Sequence, residues 1–185
     1  MRKILFLDFE DSFTFNVVQE LSELGLDVEI IQWHEFKHIT EHELLVLGPG
    51  PGHPDDYASI YPIIHDWINN GKKIFGVCLG HQILWRIKGA EVSASLKPLH
   101  GQKIEIVLNL EWQNWLGLAE KITVQRYNSL AVKTDVYVNP AQNFILDGEI
   151  IMSKNFQFIS YQFHPESMGT KCRDAFFRPI LRDLL

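Results

Sequence analysis

Cys78 is the residue of this sequence best placed to act as a nucleophile. It follows the apolar residues 74–77, and Gly76 and Gly80 flank it two positions away on either side. This pattern predicts a buried strand, a sharp turn and the start of a helix, which is the thiol counterpart of the serine nucleophile elbow. At a helix N-terminus the backbone N–H groups favour the thiolate and can hold an oxyanion after attack on a carbonyl. Cysteine is also a common buried residue without chemistry, but the two glycines favour a reactive thiol.

A base and a group to orient it are available in residues 162–167. A thiol nucleophile needs a base within hydrogen-bond reach, and that base needs a third group to hold it. His164 and Glu166 are two residues apart, so their side chains face the same way if this stretch is extended. The apolar and aromatic residues 158–163 predict the strand that delivers them. Alone, the segment would indicate a surface His-Pro turn with a solvated glutamate. In combination with Cys78, a catalytic role for His164 and Glu166 is the preferred interpretation.

His81 is the alternative base, because it lies only three residues after Cys78. On the first turn of the same helix, its side chain is carried with the turn and points away from the side by which a substrate enters. We therefore predict a structural role for His81 and assign the base to His164.

Several segments of the chain resemble class I glutamine amidotransferases. They are Gly-Val-Cys-Leu-Gly-His-Gln at 76–82, His-Pro-Glu at 164–166 and Gly-Pro-Gly-Pro-Gly-His-Pro at 48–54. Within that family, the segments that resemble the small subunits of anthranilate synthase and aminodeoxychorismate synthase are residues 11–16, 126–130 and 164–167. The resemblance extends from the first strand to the C-terminal helix, and the Cys and His-Pro-Glu-Ser segments together are its most specific part.

The resemblance implies a Cys-His-Glu triad that hydrolyses glutamine. Cys78 would attack the side-chain amide and form a γ-glutamyl thioester, His164 would transfer the protons, and Glu166 would orient the imidazole. The oxyanion hole would be formed by the N–H of Leu79 and by a glycine N–H of the 48–52 loop, at Gly50 or Gly52. The positions that would hold the substrate are Gly50, Pro51, Gly52, Gln82, Ser129 and Leu130.

The sequence departs from the family pattern at three places. Asn128 replaces the histidine of the usual Arg-Tyr-His-Ser-Leu, so a hydrogen-bonding side chain remains but no longer titrates. Phe9-Glu10 stands where Asn-Tyr is usual, and Trp85-Arg86 follows the elbow where smaller residues are common. Because the nucleophile and the base are both present, we predict an active enzyme.

Composition narrows the class of protein. The chain has 185 residues, 46% of them apolar, and a formal net charge of −6, which predicts one globular domain, 1–185, and argues against a nucleic-acid binder. No apolar run approaches the roughly 18 residues of a membrane span. Two distant cysteines, one of them needed as a thiol, suit a reducing cytoplasm. His34, His38 and His42 lack a further ligand, so a solvated surface is preferred over a metal site.

The alternation of apolar runs and helical patterns predicts an α/β fold. In the first half the expected strands and helices are 3–8, 12–25, 27–31, 43–47, 55–70 and 72–77. Such alternation builds a central, largely parallel sheet flanked by helices, as in the flavodoxin-like class I glutamine amidotransferases that the chain resembles. Ligands of such sheets bind beyond the carboxyl ends of the strands, where 48–52 and 78–82 both fall.

The second half predicts a smaller, antiparallel β part. Asp147-Gly148 is a hairpin signal between two apolar runs. Trp112 and Trp115 are candidates for a contact surface, with burial as an equal alternative. The expected strands and the closing helix are 102–108, 121–125, 143–153, 157–163 and 171–184.

The sequence therefore predicts a glutaminase subunit that passes ammonia to another protein. By resemblance, the partner is the large subunit of a chorismate-using synthase, preferably anthranilate synthase of tryptophan biosynthesis, with aminodeoxychorismate synthase of folate and 4-aminobenzoate biosynthesis as the alternative. No cofactor is expected in this chain, whereas the partner is expected to need Mg²⁺. A non-catalytic module that only binds a partner stays open, as does a cysteine hydrolase acting on a γ-glutamyl peptide.

Overall fold

The computed structural model describes residues 2–134, 139 and 142–185. Its strands are β1 (Lys3–Asp8), β2 (Asp27–Gln32), β3 (Leu44–Leu47), β4 (Lys73–Val77), β5 (Val92–Ala94), β6 (Gln102–Val107), β7 (Lys121–Arg126), β8 (Leu130–Val132), β9 (Asn143–Leu146), β10 (Glu149–Lys154) and β11 (Phe158–Tyr161). Its α-helices are α1 (Thr14–Glu23), α2 (Tyr61–Asn69), α3 (Leu79–Ile87), α4 (Leu110–Leu116) and α5 (Asp174–Pro179). Short 3-10 helices occupy Trp33–Glu35 and Pro54–Ile60, and a π-helical turn, Ile180–Leu184, follows α5.

A central sheet runs through the part of the chain that the structure describes, in the order β2-β1-β3-β4-β11-β10-β9. The strands from β2 to β11 in this order pair in parallel, whereas β10 and β9 pair antiparallel. Two small antiparallel pairs, β5-β8 and β6-β7, lie outside the central sheet. The predicted α/β architecture with a smaller antiparallel part is confirmed, as is the hairpin at Asp147-Gly148.

Alternate residues of the central strands face two separate apolar layers. In β3, Leu44 and Val46 pack in the cluster that includes α1, α4 and α5, whereas Leu45 and Leu47 pack in the cluster that includes α2 and α3. All four side chains are buried. Burial on both faces explains why the strand is a continuous apolar run, without the alternation of a half-exposed strand.

The helix predicted at 55–70 is divided into two parts. The 3-10 helix Pro54–Ile60 precedes α2, and Tyr57 leaves the helical region with a φ of −107°. Pro62 lies in the first turn of α2, where its missing N–H leaves no intrahelical bond unmade. The closing helix also starts later than predicted, because Cys172 has a φ of 54° and interrupts the helical path.

Helix α4 was not predicted from the sequence, although both of its ends carry a signal. The Asn109 side chain accepts a hydrogen bond from the N–H of Trp112, and Gly117 ends the helix in the left-handed conformation. Trp112 is fully buried, and its ring packs edge-on against half-buried Trp115. The Trp115 Nε1 donates a hydrogen bond to Asp183. For Trp112, burial is therefore the correct alternative.

Candidate active site

The turn between β4 and α3 holds Cys78 in a conformation that few residues adopt. Its φ is 52° and its ψ is −101°. The Cys78 N–H donates a hydrogen bond of 2.8 Å to the carbonyl of Tyr161, and the Cys78 carbonyl accepts one from the N–H of Gln82. The backbone is therefore held on both sides of the thiol. A strained turn that is bonded in this way presents the side chain clear of the sheet.

The two flanking glycines are required by the close packing of α3 on the end of the sheet. A Cβ placed on Gly80 would lie 2.1 Å from the carbonyl oxygen of Leu47, and one on Gly76 would lie 3.0 Å from the carbonyl of Gly80. The Gly80 N–H also donates to the carbonyl of Gly48, at 3.2 Å. The elbow and the loop after β3 are thus locked together.

The sheet topology brings His164 next to Cys78. Strand β11 pairs in parallel with β4, with Tyr161 opposite Val77. The residues that follow the two strands therefore emerge at the same edge of the sheet, and the Cys78 sulfur lies close enough to the imidazole to raise its pKa. Two residues far apart in the sequence meet because their strands are neighbours.

The segment from His164 to Glu166 forms a turn and is not extended. The N–H of Ser167 donates to the carbonyl of His164 at 3.2 Å, with Pro165 at the second position of the turn, where its restricted φ is favourable. The extended geometry considered for these two residues is therefore not the one observed. The turn itself brings the side chains together, with His164 Nδ1 and Glu166 Oε1 separated by 2.6 Å.

The surroundings of His164 stabilise its protonated form. Burial alone would lower the pKa of the imidazole, but the Cys78 sulfur, through its charge and hydrogen bond, and the Glu166 carboxylate hold the His164 pKa well above its ordinary value of 6.5. Phe13 and Tyr127 pack against the imidazole with ring centroids 4.9 and 5.0 Å away. Since Nδ1 is bonded to Glu166, Nε2 is the nitrogen left for the thiol.

A cavity of about 180 Å³ opens at the Cys78 thiol. Its volume is below that of the pockets that hold drug-sized ligands, as expected for a ligand the size of an amino acid. All six positions implied by the resemblance for substrate binding line it, together with Cys78. Tyr127 and Asn128, which we did not assign to the substrate from the sequence, line it as well. The complete lining is Gly50, Pro51, Gly52, Cys78, Gln82, Tyr127, Asn128, Ser129 and Leu130.

The glycine- and proline-rich loop forms one wall of this cavity and packs closely on the elbow. A Cβ on Gly50 would lie 2.5 Å from both the Leu79 side chain and the Cβ of Phe9. Gly52 has a φ of 76°, which favours glycine. The Tyr57 hydroxyl donates a hydrogen bond to the carbonyl of Pro51 at 2.9 Å. Leu79 begins α3, so its N–H lies in the first helical turn, where backbone donors have no helical partner.

Comparison with known proteins identifies the family. The model of the class I glutamine amidotransferases matches residues 5–183. The chain belongs to this family. Component 2 of anthranilate synthase from Haemophilus influenzae is 34% identical over 180 residues, with 92% of this chain and 91% of that protein covered. The same component from Pseudomonas putida is 33% identical over 193 residues, with 97% and 96% covered.

The architecture of this amidotransferase also recurs in solved structures. The glutaminase domain of Trypanosoma brucei CTPS, solved with bound acivicin, superimposes with a TM-score of 0.70 at 15% sequence identity, covering 96% of this chain and 92% of that domain. At that identity the likeness concerns the fold alone, and it supports the flavodoxin-like arrangement.

His81 of this amidotransferase lies away from the cavity, as predicted for a structural residue. It is fully buried, with Nδ1 2.8 Å from the Ser160 hydroxyl and Nε2 2.9 Å from the carbonyl of Ile150. Because a carbonyl only accepts, Nε2 carries the proton and the Ser160 hydroxyl donates to Nδ1. Burial lowers the pKa of His81 to about 3, so the ring is neutral at physiological pH.

Asn128, which replaces the usual histidine of the family pattern, forms hydrogen bonds on two sides beside the cavity. It is buried, its Oδ1 accepts a 3.0 Å hydrogen bond from Arg126 Nε, and its Nδ2 donates one of 2.8 Å to the carbonyl of Leu130. Arg126 in turn forms a buried ion pair of 3.0 Å with Glu149. Asn128 therefore links this ion pair to the backbone of the cavity wall.

No group of three or more His, Cys, Asp or Glu side chains among the described residues is arranged to hold a metal ion. His42, one of the three histidines considered above, contacts Thr40 and Glu29. His34 belongs to the 3-10 turn and packs edge-on against Trp33. In the same described part of the chain, no helix has the length and apolar character to cross a membrane.

Proposed function

We propose that this chain is the glutaminase subunit of an anthranilate synthase and that it hydrolyses glutamine through Cys78, His164 and Glu166. The observation that carries the proposal is the Cys78 thiol in the lining of an amino-acid-sized cavity, beside an imidazole whose Nδ1 is bonded to Glu166. The curated relatives named as component 2 of anthranilate synthase support the choice of pathway.

The geometry supports a two-step reaction. The Cys78 sulfur attacks the side-chain carbonyl of glutamine, and the N–H of Leu79 and a glycine N–H from Gly50 or Gly52 stabilise the oxyanion. Collapse of this intermediate breaks the C–N bond, and His164 Nε2 supplies the proton that lets ammonia leave. His164 then takes a proton from water, which attacks the thioester to give glutamate and the free thiol. Glu166 keeps the imidazole in the required tautomer.

The cavity wall supplies the groups that would hold the substrate. Gln82 Nε2 is committed to the carbonyl of Leu130 at 3.0 Å and to Gln162 at 3.1 Å, so its Oε1 is the acceptor left for the substrate amide. Ser129 Oγ lies at the same wall, 3.3 Å from His100 Nε2. Ser129 and Leu130 would contact the α-carboxylate and amine of the substrate.

Ammonia is the useful product only if a second protein consumes it. We assign that role to a chorismate-using large subunit, which is also the component proposed to need Mg²⁺. The same chemistry in this chain would serve an aminodeoxychorismate synthase, and the product of the assembled enzyme distinguishes the two. A cytoplasmic location follows from this assignment, because chorismate and a reduced thiol are both needed.

The experiment measures ammonia release from glutamine by the purified chain, alone and with an anthranilate synthase large subunit plus chorismate. We expect release to rise with the partner and anthranilate to form from glutamine. The same assay is run with the large subunit of an aminodeoxychorismate synthase. If that pair forms aminodeoxychorismate and the first pair forms no anthranilate, the chain belongs to the folate pathway. Partner binding without ammonia release would make it a non-catalytic module and overturn the proposal.

A further inference from the structure

The Cys78 sulfur has a second polar neighbour besides the imidazole. Gln162 is completely buried, and its Nε2 lies 3.8 Å from Cys78 Sγ, within the range of a hydrogen bond to sulfur. Resting on the proposed function, we propose that Gln162 is a further catalytic residue, which stabilises the Cys78 thiolate by donating a hydrogen bond to it. Gln162 is the first residue after β11 and precedes His164 by two positions. The same strand therefore places both residues near the sulfur.

The direction of the Gln162 amide is determined by its neighbours. The carbonyl of Leu130 can only accept, so the Gln82 amide group must present Nε2 to it. That same Nε2 donates to Gln162 Oε1 at 3.1 Å. With its oxygen engaged by Gln82, Gln162 must present its NH₂ group to the sulfur. If the Gln162 amide were flipped, its oxygen would face the thiolate, and its NH₂ group would face the NH₂ group of Gln82.

A second amide, that of Asn128, donates to the same carbonyl, and its orientation is determined as well. Arg126 has no acceptor atom, so Asn128 must turn its Oδ1 toward Arg126 Nε and its Nδ2 toward the carbonyl of Leu130. Arg126 is itself held by the buried carboxylate of Glu149. The Leu130 carbonyl thus accepts from two amides whose orientations are both determined, and the row of hydrogen bonds ends at the Cys78 sulfur.

The energetics favour such a donor at a buried thiolate. A hydrogen bond to a charged group is stronger than one between neutral groups, and the effect grows where water is excluded. Cys78 is largely buried, and the His164 imidazole, with Glu166 behind it, and the Gln162 amide lie beside its sulfur. The imidazolium balances the charge, whereas the amide stabilises the thiolate without needing a proton of its own.

The test is the pH dependence of Cys78 alkylation by iodoacetamide, in a Cys172→Ser background because Cys172 is an exposed free thiol. Gln162→Met keeps the bulk of the side chain but cannot donate. We expect it to raise the midpoint of alkylation by about one pH unit and to lower kcat about tenfold, with KM for glutamine little changed. Gln162→Glu, which retains the acceptor for Gln82 but adds a negative charge, is expected to raise the midpoint further.

The matched control is Gln157→Met. Gln157 lies at the other end of β11 and donates to the carbonyl of Ile68 at 2.9 Å, far from the sulfur. We expect this variant to lose stability without a shift of the alkylation midpoint. If Gln162→Met does not fold, Gln162→Leu, which also removes the donor without adding a charge, decides the question, and an unchanged midpoint in a folded variant overturns the proposal. Alkylation needs no turnover, so absence of ammonia release from the unsubstituted chain would overturn the proposed function without deciding the role of Gln162.

Discussion

His164 and Glu166 share a hydrogen bond of 2.6 Å, although a single proline is all that separates them in the chain. The turn around Pro165 makes this contact possible, because it directs two side chains of one short segment toward each other. The Glu166 carboxylate is therefore positioned by the same turn as His164, and not by another helix or strand. Both members of the pair are buried, so their interaction is little screened by solvent.

The Glu166 carboxylate should control the pH range of glutamine hydrolysis. It contributes to holding the His164 pKa well above 6.5, so the imidazolium persists as the pH rises past that value. Glu166→Gln removes this contribution, and the alkaline limb of the kcat/KM profile should move to lower pH while kcat at neutral pH falls about 100-fold. The measurement is a pH–rate profile of ammonia release. Exposed Glu120→Gln serves as the control, and an alkaline limb at the same pH in both variants would contradict the assignment.

Burial of neutral His81 should make the fold less stable in acid. Its folded-state pKa is lowered to about 3, whereas the unfolded chain binds a proton near 6.5, so stability is lost as the pH falls through this window. The slope of the unfolding free energy should reach about 1.4 kcal/mol per pH unit from this group. His81→Gln can still donate to Ile150 and cannot titrate. Urea unfolding across the window should show a flatter slope for this variant, and equal slopes would contradict the prediction.

The packing of Gly80 on β3 should make this position intolerant of any side chain. Gly80→Ala would place a Cβ 2.1 Å from the Leu47 carbonyl oxygen, which is backbone and cannot rotate away. We expect a loss of more than about 3 kcal/mol of unfolding free energy. Gly25→Ala is the comparison, since Gly25 has a φ of 79° and open space around it, and should lose only about 1 kcal/mol. Equal losses in chemical denaturation would mean that the elbow is not crowded.

The part of the fold that the sequence predicts is the part that local patterns determine. The apolar run ending at Gly76 and the glycine at position 80 indicate the strand, the turn and the helix around Cys78, and these are observed. Strands β5 and β8 were missed because each has only three residues and pairs with a partner distant in the sequence, as Val92 does with Val132. A pairing of that kind leaves no periodicity to detect in either segment.

The site shows the same division between local and tertiary information. Motifs singled out Cys78 and His164 as candidates, whereas Gln162, although it begins the segment 162–167, was given no role of its own. A signal was present, because Gln162 is a polar residue within an apolar run that is completely buried in the structure. The contact of Gln162 with the Cys78 sulfur depends on the pairing of β11 with β4, which cannot be predicted from the sequence pattern.

Cys78 is tested as the nucleophile by trapping the γ-glutamyl thioester on it. Radiolabelled glutamine is mixed with the purified chain, the reaction is quenched in acid within the first turnovers, and the peptide that carries the label is identified by mass spectrometry. We expect label on the peptide containing Cys78 and none with Cys78→Ser, which should fold normally. Label that persists in Cys78→Ser, or ammonia release by that variant at the rate of the unsubstituted chain, would contradict Cys78 as the nucleophile.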